Sequence, residues 1–398
     1  MSMQARFLKY LCQTSPEPIG LEVMSAEGCM ITDSAGRRYL DFISGIGVAN
    51  IGHRHPAVLA AIRAQLDRYL HVMVYGEYVQ APQIDLAAEL ASIAPPSLSV
   101  TYFTNSGAEA VEGALKTARK FTGRETFVAF EQSYHGDTFG AMSVMGKPAL
   151  RVPYEPLLPT VRFLPWNEPA ALQAPGAIDE RVAAVIMEPI QAEGGVRLPS
   201  AEFLLAVRER CTDTGALLVM DEVVTGFGRT GRLFAVEHWG VTPDIMILAK
   251  AMGGGLPLGG FLGRPDIMAV LSRDPPLSHL TTFGGHPLSC AAGLASLRVI
   301  VKQQLAQAAV QTGERLQAEL TARCGRGGLI GVRGRGLLIG MEFDTAARCE
   351  RFVQRCRETG LLLGWTLHED RVVRLAPPLV LSADELDVGL ERMTNALY

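Results

Sequence analysis

Five short apolar runs constrain this chain more than any other feature: Val100–Thr104, Thr126–Phe130, Val182–Met187, 216–220 and 245–249. All are rich in β-branched residues. Helical stretches, such as 108–121 and Ala201–Thr214, separate most of them. This alternation predicts an α/β fold with a mostly parallel sheet and helices on both faces. Near-continuous apolar runs suit strands buried on both sides. A chain of 398 residues is too long for one small core, and roughly 150 residues per domain sets the expectation at two domains or three.

Upstream of the runs, the Gly36 turn between two alternating segments predicts a hairpin, and 58–70 has helical periodicity. After about residue 286 the texture changes. A long helical stretch over 290–320 precedes a Gly/Arg-rich segment and short strands near 337–343 and Val372–Leu375. The expected partition is an N-terminal segment 1–56 packing with the small domain, a large domain 57–285, and a small α+β domain 286–398.

Composition narrows the function. The charged fraction is 20%, the hydrophobic fraction 48% and the net charge −4, so nothing suggests the clustered basic face that nucleic acid requires. The seven cysteines are irregularly spaced and lack C-x-x-C, which reads as reduced thiols and neither a disulfide framework nor a zinc site. Residues 1–20 hold no long apolar h-region, and no run approaches the ~18 apolar residues of a membrane span. A cytoplasmic location, with no membrane or nucleic-acid partner, is expected.

Three segments carry candidate chemistry. Thr104-Asn-Ser-Gly-Ala-Glu-Ala110 follows a strand and opens a helix. Ser106 and Glu109 have capping-box spacing, and Gly107 lets a ligand approach the backbone. A helix N-terminus suits phosphate, although the same stretch is equally compatible with a plain cap. Asp221 ends an apolar strand, the place where open α/β sheets bind ligands, and a carboxylate there can pair with a pyridinium nitrogen. Alone it reads more readily as a turn cap. Lys250 follows another apolar strand and precedes Gly253-Gly-Gly255. Desolvation lowers the pKa of such a lysine and makes the amine nucleophilic; a snorkelling lysine is the plainer alternative.

Other chemistries find no pattern. No glycine loop is followed by Gly-Lys-Ser/Thr. Gly253-x-Gly255 lacks its third glycine because position 258 is Leu, and Gly334-x-Gly336 fails likewise at Ile339. His-Glu-x-x-His is absent, so no metal is expected.

Taken in order, the segments resemble class III pyridoxal-phosphate (PLP) aminotransferases of fold type I, the acetylornithine, ornithine, 4-aminobutyrate and diaminopelargonate group. The stretches are FTNSGAEAVEGALKTAR (103–119), SYHGDT (133–138), MEPIQAEGG (187–195), MDEVVTGFGRTG (220–231), LAKAMGGG (248–255), TTFGGHPLSC (281–290) and VRLAPPLV (373–380). The opening YLDFISGIGVANIGHRHP (39–56) is also family-like, so the resemblance covers nearly the whole chain.

The resemblance implies a large PLP-binding domain, a smaller α+β domain and these roles. Lys250 would hold PLP as a Schiff base and move the proton, while Asp221 would pair with the ring nitrogen. Tyr134 and Val223 would cover the two ring faces. Ser106, Gly107 and Ala108 would hold the phosphate, with Thr282 reaching in from a partner subunit, hence a homodimer with shared sites. His135 and Glu188 fall in the matched stretches as further cofactor residues. Glu193 and Arg374 would form a substrate switch: the arginine takes a carboxylate as a bidentate fork, and the glutamate neutralises it when an ω-amine is bound.

Departures concern the substrate. Asp137 stands where the ornithine, acetylornithine and 4-aminobutyrate enzymes usually carry arginine, and resembles the diaminopelargonate branch there. Ile46 replaces a substrate-binding tyrosine, Val224 a glutamine and His286 an asparagine. Ile46, Tyr75, Tyr78 and Trp365 are expected near a more apolar substrate side. The expected reaction moves an amino group from a primary amine or ω-amino acid to a 2-oxo acid such as 2-oxoglutarate or pyruvate, by ping-pong kinetics. The alternatives are a diaminopelargonate-type enzyme, a PLP-dependent aminomutase, racemase or decarboxylase, or a silent relative acting as a binding module.

Overall fold

The computed structural model describes residues 1–74 and 76–398. An N-terminal sheet holds β1 (Val23–Glu27), β2 (Met30–Asp33) and β3 (Arg38–Asp41). The expected hairpin is β2–β3, antiparallel through a turn in which Gly36 takes φ +79°. Seven strands form the central sheet: β4 (Val100–Thr104), β5 (Thr126–Phe130), β6 (Val161–Leu164), β7 (Val182–Met187), β8 (Leu217–Asp221), β9 (Ile245–Leu248) and β10 (Gly259–Gly263). A third sheet holds β11 (Leu329–Arg335), β12 (Leu338–Phe343), β14 (Gly364–Trp365) and β15 (Val372–Leu375). The short β13 (Leu361–Leu362) instead pairs in parallel with β3, so a C-terminal strand completes the N-terminal sheet.

The central order is β4-β10-β9-β8-β7-β5-β6. β10 is antiparallel to both neighbours and the other strands point one way. Strands β7 and β8 are buried along their whole length. Their residues alternate between two apolar layers, as a period of two demands. Ala184, Ile186 and Val219 face the helix Gly107–Thr122, and Val185, Met187, Leu218 and Met220 face the larger core on the other side. That helix starts at Ser106, whose hydroxyl accepts the Glu109 N–H at 3.2 Å, and stops at Gly123 in the left-handed region.

Two expectations need correction. The stretch 290–320 is two helices, Pro287–Lys302 and Leu305–Thr321, broken at Gln304 with φ +52°. No proline or glycine marks the break. The helix expected over 58–70 spans Pro56–Leu66. Strand β10 escaped the pattern because its sequence, GGFLG, reads as a loop. Its glycines answer to crowding: a Cβ at Gly259 would lie 2.3 Å from the Ser106 carbonyl oxygen.

A buried arginine ties the N-terminal turn to the rest. The Arg229 guanidinium donates to Asn50 Oδ1 at 2.6 Å and to the Leu337 carbonyl at 3.0 Å, and also reaches the Pro377 carbonyl. No described helix is long and apolar enough to cross a membrane.

Candidate active site

The parallel strands end on one edge of the central sheet, and the loops there enclose a cavity of about 730 Å³. β4 delivers Ser106, Gly107 and Ala108; β5 delivers Tyr134 and His135; β7 leads to Glu188 and Glu193; β8 ends at Asp221 and continues to Val223; β9 leads to Lys250. Because β10 starts at this same edge, Gly255–Leu258 close the wall beside them.

The helix N-terminus forms one end. The capping box is displaced by one residue: Glu109 reaches back to the Asn105 N–H at 2.8 Å and the Asn105 side chain at 2.9 Å. Neither contact uses the N–H groups of Gly107 and Ala108 on the cavity side. Gly107 is there for closeness, since a Cβ would sit 3.1 Å from a Val223 methyl. Gly136 at φ +122° serves the same end, because a Cβ would lie 2.6 Å from that of Ala108.

Asp221 forms the floor. One carboxylate oxygen accepts the Val223 N–H at 3.0 Å and the other meets His135 Nδ1 at 2.7 Å. Both side chains are buried, and this pairing fixes the proton on Nδ1 as the donor. Behind them Glu188 accepts the Tyr134 N–H at 3.0 Å and the Ala192 N–H at 2.9 Å. Burial pushes its carboxyl up to about 7, with His135 opposing and Asp221 adding to the shift.

Lys250 takes a left-handed backbone, φ +50°, in the turn after β9. No hydrogen bond or ion pair among the described residues occupies its amine. Burial pushes the amine's pKa down, and the Arg374 guanidinium adds to this. The result is a nucleophilic primary amine in the wall of the cavity.

Glu193 lies in the wall and forms a buried ion pair with Arg374 of β15. Its second oxygen accepts the Leu367 N–H at 3.0 Å. Arg374 itself is not in the cavity lining; it stands behind Glu193.

Several expected residues are not brought to this cavity. Ile46 is 49% exposed on a turn whose neighbour Val48 lines the wall instead, and it holds φ +65°, which is strained for a β-branched residue. Thr282 is exposed and outside the lining within its own chain. Tyr75 lies outside the described residues. Tyr78 and Trp365, 52% exposed each, and His286 are also not in the lining. Instead, the His286 ring stacks on His71 at 5.7 Å. Val48, Asn105, Thr138 and Leu256–Leu258 line the cavity without having been singled out. Asn105, Thr138 and Val48 all stood inside stretches already quoted, 103–119, 133–138 and 39–56, but nothing in them marked these residues apart from their neighbours.

Comparison with known proteins places this geometry. Residues 12–397 match the family model "Aminotransferase class-III". Acetylornithine aminotransferase of Methanosarcina mazei is 42% identical over 98% of this chain and 94% of its own length. That of Bacillus subtilis is 38% identical, covering 95% of each. The crystal structure of ornithine aminotransferase from Toxoplasma gondii superposes with TM-score 0.92 at 30% identity, covering 100% of this chain and 95% of that one. A PLP-bound amine transaminase from an uncultivated Pseudomonas species gives 0.88 at 30% identity, covering 97% and 99%.

The cofactor these matches imply is pyridoxal phosphate, and the residues present fit it. The helix terminus offers an anion site, Asp221 an acceptor, and Lys250 an unpaired amine. His135 Nε2 and Thr138 Oγ1 are buried polar atoms with no partner among the described residues, left for a polar guest to satisfy. With a fold-type I architecture and a family match from end to end, the chain belongs to the class III aminotransferases, PLP enzymes that move an amino group from an amine to a 2-oxo acid.

Proposed function

We propose that the strand-end cavity is the site of this transfer, with an ω-amine as donor, 2-oxoglutarate or pyruvate as acceptor, and two half-reactions run in ping-pong order. The carrying observation is that Lys250, its amine unpaired and its pKa depressed, opens onto the same cavity as the Asp221–His135 pair. In this reading Ser106, Gly107 and Ala108 hold the phosphate, Tyr134 and Val223 flank the ring, and Lys250 is the attachment point. When bound, the cofactor supplies an electron sink for the bonding pair left on the amine carbon.

The chain's own groups do the rest. Asp221, oriented by His135 and the Val223 N–H, would hold a proton on the cofactor's ring nitrogen. Lys250 Nζ, made less basic by burial, takes a proton from the amine carbon and returns it one position away. Glu188 holds the Tyr134 and Ala192 N–H groups and so fixes the loop that bears Tyr134. Glu193 neutralises Arg374 while the donor is bound; swinging away, it frees the guanidinium for the carboxylate of the 2-oxo acid.

The unit we propose is a homodimer in which the partner subunit's Thr282 completes the phosphate site. Support comes from the apolar surface around that residue: Leu277, Leu280 and Phe283 are 62%, 49% and 54% exposed. Residues 57–285 would form the large domain, and 286–398 with the segment 1–56 the small one. The names of the curated relatives, acetylornithine aminotransferases, support an ω-amine donor. The test is the visible spectrum of PLP-loaded protein titrated with amines in the absence of acceptor. Conversion to the amino form of the cofactor, reversed by a 2-oxo acid, supports the reading; a band that no amine shifts opposes it.

A further inference from the structure

Asp137 is the acid in this site that nothing yet uses. It lies in the cavity wall on the loop after β5, exposed, with Oδ2 accepting the Tyr134 hydroxyl at 2.7 Å. That is its only hydrogen bond, and it has no ion pair among the described residues. The Tyr134 hydroxyl holds one oxygen and so fixes how the carboxylate faces the cavity. The second oxygen is left to solvent or to a bound molecule.

The charges around it decide what it would accept. Asp221 is paired with His135, and Glu193 with Arg374. Glu188 is buried on two backbone N–H groups. Among the described residues of the lining Lys250 is the only lysine or arginine, and in the reading above it holds the cofactor. The wall around Asp137 therefore offers no cation. A donor whose tail carries a carboxylate would meet like charge there, whereas a second ammonium would make a charge-assisted hydrogen bond to a pre-oriented acceptor.

We propose that Asp137, held by Tyr134, is a specificity-determining residue that selects aliphatic diamines as donors over ω-amino acids. The inference rests on the aminotransferase reading above. It also departs from what the names of the acetylornithine relatives suggest, because that donor ends in a carboxylate.

The test uses the holoenzyme without acceptor, following the cofactor spectrum with 1,4-diaminobutane, n-butylamine, 4-aminobutanoate and N-acetylornithine. The wild type is expected to prefer the diamine over both amino acids by on the order of tenfold in kcat/KM, the scale of one hydrogen bond to a charged group. Asp137→Asn should collapse the ratio of diamine to n-butylamine by a similar factor, and Asp137→Arg should invert the ratio of diamine to 4-aminobutanoate. Ratios are read because a general loss of fold or cofactor would lower all donors together. An equilibrium readout accompanies them: calorimetric binding of 1,4-diaminobutane to PLP-loaded Lys250→Ala protein should weaken by on the order of tenfold when Asp137→Asn is added. A wild type that prefers N-acetylornithine or 4-aminobutanoate overturns the proposal, as does a ratio that Asp137→Asn leaves in place. Silence from every donor is a different failure, since it would sink the aminotransferase reading itself.

Discussion

The floor of this cavity and the rim proposed to meet a partner subunit are built differently. The floor, Asp221 with His135 and Glu188, is buried, and apart from His135 Nε2 its polar atoms have partners within the chain. The rim residues Ile46, Thr282 and Phe283 lie outside the lining and are exposed, and Ile46 holds a strained backbone. Floor residues sit within a few positions of parallel strand ends, where the sheet's hydrogen bonds fix them. Rim residues sit on turns that no sheet orders. The difference separates a preorganised floor from exposed turns that, in the proposed homodimer, a second copy would cover. Preorganised donors and acceptors cost no rearrangement at the moment of reaction.

Breaking the floor should cost most. Lys250→Ala is expected to lower turnover by about 10⁴-fold or more, measured by coupled assay at saturating PLP, because it removes both attachment and proton transfer. Asp221→Asn keeps the shape and loses the charge; a fall of about 10²–10³-fold in kcat, with PLP still bound by absorbance, would place its role in the chemistry. Little change in kcat would reduce it to a turn cap.

Gly107→Ala probes the close approach. The new Cβ would press on Val223, and overpacking of about 1–3 kcal/mol corresponds to roughly five- to a hundredfold weaker PLP binding in a fluorescence titration. The rim answers to a different variable. Thr282→Ala should weaken PLP by on the order of tenfold, one hydrogen bond to a charged group, and wild-type protein diluted until sedimentation shows monomer should weaken similarly. A monomer that keeps full affinity would show the rim needs no partner.

The smallest effect comes from a buried acid beside the floor. Glu222 accepts the Val236 N–H at 2.8 Å, and burial pushes its carboxyl from 4.5 up to about 7. Between those values the folded chain holds a proton that the unfolded chain releases, so stability falls as pH rises through the window. Glu188 shifts in the same direction. Urea unfolding of the apoprotein from pH 5 to 8 should show this fall, and Glu222→Gln should flatten it by about 1 kcal/mol per pH unit. An unchanged slope would mean that the acid titrates normally.

Much of the floor was legible because strand ends are local. The apolar runs mark β4, β5 and β7 to the residue, and Ser106 announces its helix. Asp221 and Lys250 follow directly from where β8 and β9 stop. What escaped depended on distant pieces. The His135–Asp221 contact joins residues 86 apart and Glu193–Arg374 joins residues 181 apart. The former was not foreseen as a pair, and the latter was foreseen only through resemblance. Strand β10 hid behind glycines, of which Gly259 faces the Ser106 carbonyl of another strand's loop and Gly260 the Tyr102 carbonyl. The break at Gln304 carries no breaker residue, and the rim positions of Ile46 and Thr282 have no periodic pattern to give them away.

The most direct test of a preorganised cofactor floor is chemical. Borohydride reduction of the PLP-loaded protein, followed by proteolysis and mass spectrometry, identifies the attached amine. The account predicts the pyridoxyl label on Lys250, with none in the Lys250→Ala protein. A label on another lysine, or on none, would contradict it.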